Sequence, residues 1–591
     1  MATRRMHFAS TTKSGTQRTS LTHTITEKSN LDPIPPYLST NDVPPEPEVI
    51  KIKENLRIWN EELSRLKTDT HGSRLFIINR LPSNHIDHSI QRDSLLAKIK
   101  AYSGCISSVR QIPREIWEQI FILCINNETP SISAHNSPLS LGAVCRLWRE
   151  VAINTRCLWS KIRIPISGSD IDRDQERGDI IELWLSRSRS LPLSVSVVAN
   201  VGKPGATDRT VTAVLATLIK FSEYWESIHF EIPFDYSSST LLATLKANDL
   251  PILRSVFVFP LRGGTLTWRV PRWTNPDVQI MPAWSIFKAP GLQTLHFLYC
   301  IVTPTLRDKW SQITDLKVES CYITVEDCYR LLSGCKNLQT CFLDNCDPSS
   351  MTAVVNLNAA VQFRSVRLKY LTSLVLYEKT LLPIRFDVPS LRSFEFQGFF
   401  IRNRPSLIPH LLRSARDLES LRVDPGGVDL KELLVLTPSI KKLVFAKPSL
   451  KYPALHNMFA NGTHQGVNDD VIRRLTPTTN NTPLGTVPIS KHDYLCPELE
   501  SLVCKEDAQR TFTNYVLLTF IQRRKQESLI TGGNATELKE VLIYSKFTSV
   551  ATSSANPVLS VTGGTFIGGE LLKLVRGGMK IHLPDYNLEL D

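Results

Sequence analysis

Long apolar runs are missing from this chain of 591 residues. No stretch approaches the roughly eighteen uninterrupted apolar residues of a membrane-spanning helix, so the sequence predicts neither a transmembrane helix nor a membrane partner. Cysteine is sparse, at twelve residues, which excludes a disulfide-stabilised scaffold. The N-terminus also lacks the apolar core of a secretory signal. These absences favour a protein of the cytoplasm, the nucleus or both.

Catalytic signatures are missing as well. The glycine-rich stretch 563–569 has neither the Lys-Ser/Thr pair of a P-loop nor the spacing of a dinucleotide-binding fingerprint. The chain contains no Gly-x-Ser-x-Gly elbow, no His-Glu-x-x-His motif and no Cys-x-x-Cys pair. We therefore predict that the protein is not an enzyme, has no catalytic residue and needs no cofactor.

The positive charge of the chain is mild. Lys and Arg number 69 and Asp and Glu number 57, which gives a net charge of +12. The basic residues are scattered, a pattern that favours a solvated surface over a nucleic-acid interface. The short basic run 522–525 is predicted to end a helix that begins near Tyr515, where cations are favourable.

The first 45 residues are rich in serine, threonine and proline, with no acidic residue before Glu27. Closely spaced prolines from Pro33 to Pro47 disfavour both helix and sheet. We predict that residues 1–45 form a disordered tail. A mitochondrial transit peptide is the alternative, because such peptides are also basic and rich in hydroxyl side chains.

Residues 46–105 are predicted to form an amphipathic helical region. Apolar side chains recur there at alternating steps of three and four, a spacing typical of one helix face. They are Val49, Ile52, Leu56, Trp59, Leu63 and Leu66. This helix either folds onto its own chain or pairs with a second copy. A second helix is predicted from about Ile86 to Tyr102.

The stretch 106–165 contains the sharpest local pattern. Pro113 suits the first position of a helix, where its missing N–H costs nothing. Apolar residues then recur at helical spacing, and Ser137-Pro138 marks the start of a second helix. The spacing places Leu141, Val144, Cys145 and Trp148 on one face of that helix. Apolar side chains on more than one face indicate a partner surface as well as a private core.

This stretch resembles an F-box, of the F-box-like type that is abundant in mushroom-forming (basidiomycete) fungi. The elements that carry the resemblance are Ile112-Pro113-x-Glu115, Ile120-Phe121, Val144-Cys145-Arg146-x-Trp148-Arg149 and Leu158-Trp159. The continuation from Ile180 to Val198 is similar to the usual sequence after this module. The chain departs from the pattern in three ways. Its inter-helix loop is longer than in a minimal F-box, residues 155–157 contain no proline where the family commonly has one, and residues 69–85 have no counterpart in the family.

The resemblance implies a Skp-type adaptor as partner and, through the adaptor, a cullin. By position, the residues that it assigns to adaptor binding are Ile112, Pro113, Ile116, Ile120, Val144, Cys145 and Trp148. It further implies that the chain is the substrate-recognition subunit of a cullin–RING ubiquitin ligase, whose distal domain holds an unidentified target protein. Ubiquitin transfer then occurs on other subunits, and this chain supplies proximity and orientation.

Residues 166–591 are repetitive. The template Leu-x-x-Leu-x-Leu is the strand of a leucine-rich repeat, and steps of about 20–29 residues are expected between repeats. Loose matches begin at Trp225, Leu253, Leu292, Ile313, Leu338, Leu371, Leu391, Leu418, Ile440, Leu499 and Leu538. The steps are irregular, and residues 446–495, rich in Gly, Asn, Thr and Pro, are predicted to be a loop insertion.

Three cysteines support the repeat interpretation. The template takes Asn or Cys eight residues after its first leucine, turned inward to satisfy backbone groups. Cys300, Cys321 and Cys346 occupy that position in their repeats. Because the template and neighbouring apolar positions account for the cysteine-rich stretch 321–346, we predict no metal site there.

We therefore predict an α/β protein. The N-terminal helical, F-box-like module is followed by a leucine-rich-repeat-like solenoid with parallel strands and irregular repeats, and no target-binding residue is assigned. One alternative is an interaction scaffold without a role in ubiquitin transfer. A less favoured one is a nucleic-acid-binding solenoid, which needs a contiguous basic stripe along the strands.

Overall fold

The structure is a computed structural model of the chain. It describes residues 36–38, 40–73, 83–125, 129–167, 174–200, 206–232, 236–260, 285–298, 300–302, 310–323, 325–345, 364–377, 384–397, 408–424, 430–446, 467–477, 494–506, 511–529, 535–544, 572–576 and 578–583. The chain divides into two compact units. The first comprises residues 1–121 and 141–152, and the second comprises residues 122–140 and 153–591.

The described residues of the N-terminal part of the chain form five α-helices. They are α1 (Glu46–Ser73), α2 (Ser83–Cys105), α3 (Arg114–Cys124), α4 (Leu139–Gly142) and α5 (Arg146–Asn154). In the part of the chain that the structure describes, no helix is both long enough and apolar enough to cross a membrane.

Helices α1 and α2 pack against each other through the predicted apolar seam. Ile52 and Leu56 of α1 form a buried cluster with Cys105 of α2, and the ring of Trp59 meets that of Tyr102 edge to face at 4.8 Å. The apolar seam of α1 therefore packs on α2 of the same chain, and pairing with a second copy stays an alternative.

The end of the predicted tail contacts the residues that follow it. Pro36–Leu38 form a turn whose Tyr37 and Leu38 side chains pack against the α1–α2 cluster. The Arg110 guanidinium donates hydrogen bonds to the main-chain oxygens of Tyr37 (2.9 Å) and Asp42 (3.2 Å). Residues 1–35 and 39 lie outside the described residues, and the disorder of 1–45 stays a prediction.

Among the described residues that follow, seventeen strands are present. They are β1 (Lys161–Ser167), β2 (Leu193–Asn200), β3 (Trp225–Ile232), β4 (Ser255–Pro260), β5 (Thr294–Leu298), β6 (Ile301–Val302), β7 (Asp315–Ile323), β8 (Thr340–Asn345), β9 (Arg364–Arg367), β10 (Ser373–Tyr377), β11 (Ile384–Asp387), β12 (Ser393–Gln397), β13 (Ser420–Val423), β14 (Lys442–Phe445), β15 (Ser501–Cys504), β16 (Glu540–Ile543) and β17 (Lys580–His582).

Fourteen of these strands lie side by side in one parallel sheet, in the order in which they occur along the chain: β1-β2-β3-β4-β5-β7-β8-β10-β12-β13-β14-β15-β16-β17. The short β6 pairs with β7, and β9 and β11 form a separate parallel pair. The predicted α/β class with parallel strands is confirmed at this level.

The repeating leucines predict the strands closely. Ten of the eleven predicted matches lie two residues before the first residue of a strand, and the eleventh, Trp225, is itself the first residue of β3. The reason is that the first leucine of the template packs in the turn that enters the strand; Leu253, for example, is fully buried ahead of β4. The template missed six of the described strands: β1, β2, β6, β9, β11 and β17. In β1 and β2, isoleucine and valine take most of the alternating apolar positions.

The remaining helices lie between strands. They are α6 (Asp174–Ser188), α7 (Ala206–Ile219), α8 (Tyr236–Ala243), α9 (Val325–Gly334), α10 (Ile408–Ser414), α11 (Leu430–Val435), α12 (Asp469–Arg474) and α13 (Asn514–Leu529). α7 lies against β1 and β2, and α9 and α10 lie against β9 and β11 respectively. The parallel sheet thus carries helices in its crossovers, as parallel connections require.

Two details of this region differ from prediction. The basic run 522–525 lies in the middle of α13, because the helix continues to Leu529, and Arg524 is completely buried. Within the predicted loop 446–495, residues 467–477 contain α12, whose N-terminus is capped by Asn468 through a hydrogen bond to the Val471 amide (3.1 Å). Residues 447–466 and 478–493 lie outside the described residues.

Candidate functional site

Helix α3 has two apolar faces. At about 100° per residue, Ile116 and Ile120 lie on one side of the helix, and Ile112 continues that line just before its start. Trp117 and Phe121 lie about a quarter-turn away and are buried. Ile116, in contrast, leaves 50% of its surface exposed, and Ile120 is half-buried. A short helix with an apolar face left outside its own core is typical of an interaction surface.

The buried face of α3 is held by aromatic packing with α5. The Trp148 ring lies 4.7 Å from that of Trp117 and 5.1 Å from that of Phe121, between centroids. Arg114 and Glu150 link the same two helices through two hydrogen bonds of 2.8 and 3.2 Å. Trp148 therefore holds α5 against α3, and we assign it to the core of the module.

Val144 and Cys145 lie between helices. The predicted single helix from Pro138 is interrupted after Gly142, whose main-chain oxygen accepts a hydrogen bond from the Arg149 side chain (2.8 Å). The Cys145 sulfur then accepts the Trp148 amide at 3.5 Å and caps the start of α5. This arrangement corrects the prediction that Val144, Cys145 and Trp148 share one helix face.

The seven predicted residues fall into two groups by exposure. Three have exposed side chains: Pro113, Ile116 and Val144, the last leaving 61% of its surface exposed. Ile112, Ile120 and Cys145 are half-buried, and Trp148 is half-buried within the aromatic packing. Their role in adaptor binding stays a prediction.

One residue was left out of the predicted set. Leu123, in the last turn of α3, leaves 78% of its surface exposed. Its signal was present in the sequence, because position 123 follows Ile116 by seven residues and Ile120 by three, which places all three on one helix face.

The sheet offers a second candidate surface. Along β3–β13, alternate side chains are buried, and those between them remain partly exposed on what we call the open face of the sheet. Register pairing aligns a central row on this face. Its members are His229, Phe257, His296, Lys317, Phe342, Val375, Glu395 and Arg422.

The residues two positions further along β3–β10 form a second row. They are Glu231, Phe259, Leu298, Glu319, Asp344 and Tyr377. Across the two rows, four carboxylates (Glu231, Glu319, Asp344 and Glu395) face two permanent cations, Lys317 and Arg422. Aromatic rings lie among them: Phe257 stacks at 3.9 Å on His229 and meets His296 at 4.5 Å, and Phe342 lies 5.4 Å from Tyr377.

Glu319 is the most buried carboxylate of these rows. Its side chain is held by the Lys317 ammonium at 2.7 Å and lies 3.3 Å from the His296 ring nitrogen Nε2. That Lys317 nitrogen also lies 4.9 Å from the centre of the Phe342 ring. Burial, aided by the Lys317 charge, lowers the pKa of His296, although the neighbouring carboxylate opposes the shift. The pKa of Tyr377 is raised to about 12 by burial and by Asp344, Glu395 and Glu319.

Four basic residues on or next to the strands each contact an acid. Arg254 lies 3.9 Å from Glu226, Arg422 lies 3.4 Å from Glu395, and Lys441 lies 3.0 Å from Glu419. With Lys317 on Glu319 at 2.7 Å, these four cations are locally neutralised. A contiguous basic stripe is therefore not formed on the described part of β4–β14.

Two of the buried cysteines, Cys300 and Cys321, form hydrogen bonds with main-chain groups. The Cys300 thiol lies 3.3 Å from the main-chain oxygen of Leu298, and the Cys321 sulfur accepts the Cys300 amide at 3.4 Å. This contact confirms that both turn inward; Cys346 lies outside the described residues. Burial raises the pKa of Cys328 and of Cys335 to about 12. Among the described residues, no group of three or more His, Cys, Asp or Glu side chains is placed to hold a metal ion.

Comparisons with known proteins do not assign this chain to a family. No protein-family model matches the sequence, and no curated protein is significantly similar to it.

Proposed function

We propose that this protein is the substrate-recognition subunit of a cullin–RING ubiquitin ligase, in which an F-box-like module binds a Skp-type adaptor and a repeat domain holds the target. The observation that carries the proposal is the exposed apolar face of α3. It lies within the segment that resembles an F-box and is separate from the aromatic face that builds the module's own core.

The contacts within the module favour rigid presentation of that face. Trp148 packs on Trp117 and Phe121, and the Arg114–Glu150 pair fastens α3 to α5. A recognition helix held from behind loses little conformational freedom on binding, and such pre-organisation favours affinity. The exposed side chains of Ile116 and Val144 then supply apolar area for a partner, at about 25 cal/mol per Å² buried.

The sheet favours a repeat domain of the leucine-rich type. Each strand of the main row pairs in parallel with a neighbour close in sequence, and each predicted repeat supplies one strand. Stacked repeats that contact only their neighbours are the organisation of a solenoid, and such arrays present one extended surface to a partner protein. We therefore propose an irregular leucine-rich-repeat-like solenoid as the target-binding part.

Between the two alternatives, the paired charges disfavour nucleic acid. Affinity for a phosphate backbone depends on cations that can release counterions, whereas the cations along the strands contact carboxylates. The scaffold alternative shares the adaptor-binding step and differs only in cullin recruitment.

The test is capture of the full-length protein by a purified Skp-type adaptor. The variant Ile116→Asp/Val144→Asp places one charge on the exposed apolar face of α3 and one on the exposed residue before α5, both predicted adaptor contacts, and is expected to abolish capture. The matched control is Ile50→Asp/Ile58→Asp on α1, because those residues are exposed to a similar degree, at 63% and 46%. The control is expected to bind like the wild type, and both variants should keep the wild-type far-UV circular dichroism.

Two outcomes would contradict the proposal. One is failure of the folded wild type to bind the adaptor. The other is equal loss of binding in the two variants, which would locate the effect outside α3. Addition of a cullin to the captured complex then separates a ligase subunit from a scaffold, because only the ligase subunit forms the ternary assembly.

A further inference from the structure

The loop between α3 and α4 contacts the first strand of the main sheet. Residues 122–140 belong to the same compact unit as the strands, and Pro130 within them is buried. The main-chain oxygen of Pro130 accepts a hydrogen bond from the Arg163 amide of β1 (2.7 Å). Ser131 then forms a parallel bridge with Arg163. The loop that is longer than in a minimal F-box therefore lies beside β1.

Hydrogen bonds within the loop hold this segment in shape. The side-chain amide of Asn136 donates to Ser131 Oγ (2.5 Å), and the main-chain N–H of Asn136 donates to the Ser133 oxygen (3.0 Å). The Ser133 amide in turn donates to the Ser131 oxygen (2.8 Å). We call residues 129–136 the strap. Its polar sequence predicts only a loop, yet its backbone is bonded both to itself and to β1.

Strand β1 is one end of the sheet among the described strands, and half of its main-chain groups point away from the sheet. The Ser160 oxygen accepts the Ser194 amide of β2 (2.9 Å), so Ser160 and every second residue after it direct their main-chain groups towards β2. Those of Lys161, Arg163 and Pro165 consequently point outward. The strap occupies the Arg163 amide, and Pro165 has no N–H.

These features are the ones by which proteins protect the edge of a sheet. An unprotected edge strand presents a row of N–H and C=O groups to which another chain can add a strand. Proline on the outer side of the strand and charged side chains oppose such addition. β1 has both, because Pro165, Lys161 and Arg163 are exposed. The strap is a third device, since it covers part of the backbone itself.

The topology of the sheet identifies what this edge would otherwise bind. The described strands of the sheet are parallel and follow chain order from β1 to β17, so its two ends differ. Strand β17 of one copy, placed beside β1 of the next, would continue the same parallel order. Such a head-to-tail contact joins two different surfaces, so it leads to rings or open filaments and not to closed dimers. A block at one end is enough to prevent this growth.

We propose that the strap closes the β1 edge of the sheet against strand addition by a second copy of this chain. It takes the place of the strand that would otherwise precede β1. The inference is independent of the proposed function, because it concerns β1 and not the exposed apolar face of α3.

The first experiment loosens the strap in the full-length protein. The variant Pro130→Gly/Ser131→Gly/Asn136→Ala removes a buried ring and the hydrogen bond between the side chains of residues 131 and 136. Sedimentation velocity should show self-association that grows with concentration beyond that of the wild type. Peptides that span β1 should exchange hydrogen for deuterium about tenfold faster. The matched control Ala134→Gly/His135→Gly changes two exposed positions of the same strap and should behave as the wild type.

The second experiment tests whether the association uses the β1 edge. Addition of Arg163→Pro to the strap variant leaves two successive outward positions, 163 and 165, without a donor, so it should restore the wild-type sedimentation. If the triple variant loses the wild-type circular dichroism, Asn136→Ala replaces it, because that change removes only one side-chain hydrogen bond to Ser131.

Three results would overturn the proposal. Faster exchange of the β1 peptides with unchanged sedimentation would show that the released edge attracts no second copy. Association that persists after Arg163→Pro would place the contact elsewhere on the molecule. Unchanged exchange of the β1 peptides in the strap variant would show that the strap does not cover this edge.

Discussion

Replacement of Arg524 by methionine should detach the strand entry at residues 494–497 from α13. Arg524 is completely buried (0% exposed) in the middle of that helix. Its guanidinium donates four hydrogen bonds to main-chain oxygens. The acceptors are Leu475 (3.0 Å), Leu495 (3.0 Å), Cys496 (2.8 Å) and Pro497 (3.1 Å). The charge also lies over the rings of Tyr494 and Phe520.

The expected loss follows from two opposing contributions. Four buried carbonyl oxygens without donors cost about 2 kcal/mol each, or about 8 kcal/mol together. Burial lowers the pKa of Arg524 to about 10, so it stays protonated at neutral pH, and removal of the buried charge returns about 3 kcal/mol. We expect Arg524→Met to destabilise the region by about 5 kcal/mol, in line with other broken buried charge networks.

The assay is hydrogen–deuterium exchange of peptides that span β15 and α13, because a chain of this size need not unfold in one step. Arg524→Met should lose protection from residue 495 to Cys504. The control Arg523→Met should not, since Arg523 makes one long contact of 3.4 Å with the Pro477 oxygen. Equal protection from exchange in the two variants would refute the view that Arg524 holds residues 494–497 against α13.

Three further predictions concern other parts of the molecule. Trp148→Ala should cost about 3–5 kcal/mol of stability and unfold the module. The variant should then lose both helical circular dichroism and adaptor binding. A variant that stays folded but does not bind would instead place Trp148 on the binding surface. Iodoacetamide should alkylate the exposed Cys124 of the native protein and spare the buried Cys328, whose pKa is raised to about 12; peptide mass spectrometry that finds both modified would contradict this. The folded-state pKa of His296 is lowered, so at acidic pH the unfolded chain binds a proton at this residue more readily than the folded chain does. Stability should therefore fall as pH drops below about 6.5. If the melting temperature of the wild type depends on pH in the same way as that of His296→Gln, His296 makes no such contribution.

Periodicity in the sequence predicted much of the architecture. Three of the heptad positions of α1, Ile52, Leu56 and Trp59, pack against α2, and ten apolar matches to the repeat template mark the entry to a strand. Such predictions succeed because the spacing of apolar residues has to match the geometry of helix or strand for one face to be buried. The apolar face of α3 was predictable for the same reason.

Other features depend on contacts between residues far apart in the chain. Arg524 lies in a run that is typical of an exposed helix end, and only the four carbonyl groups brought to it by tertiary packing make it a core residue. Val144, Cys145 and Trp148 fit one helix by spacing, yet the break after Gly142 separates them. Local pattern cannot reveal these outcomes, because partners distant in sequence supply the deciding free energy.

The charge of the open face is the clearest case. Glu231, Glu319, Asp344 and Glu395 are scattered through more than a quarter of a basic chain, and no sequence window shows them as a group. Register pairing of parallel strands places one residue of each repeat beside its neighbours, about 4.8 Å apart. The sequence by itself determined the α/β class and marked where eleven of the strands begin. The tertiary structure decided which side chains share a surface, because that depends on how the strands pair.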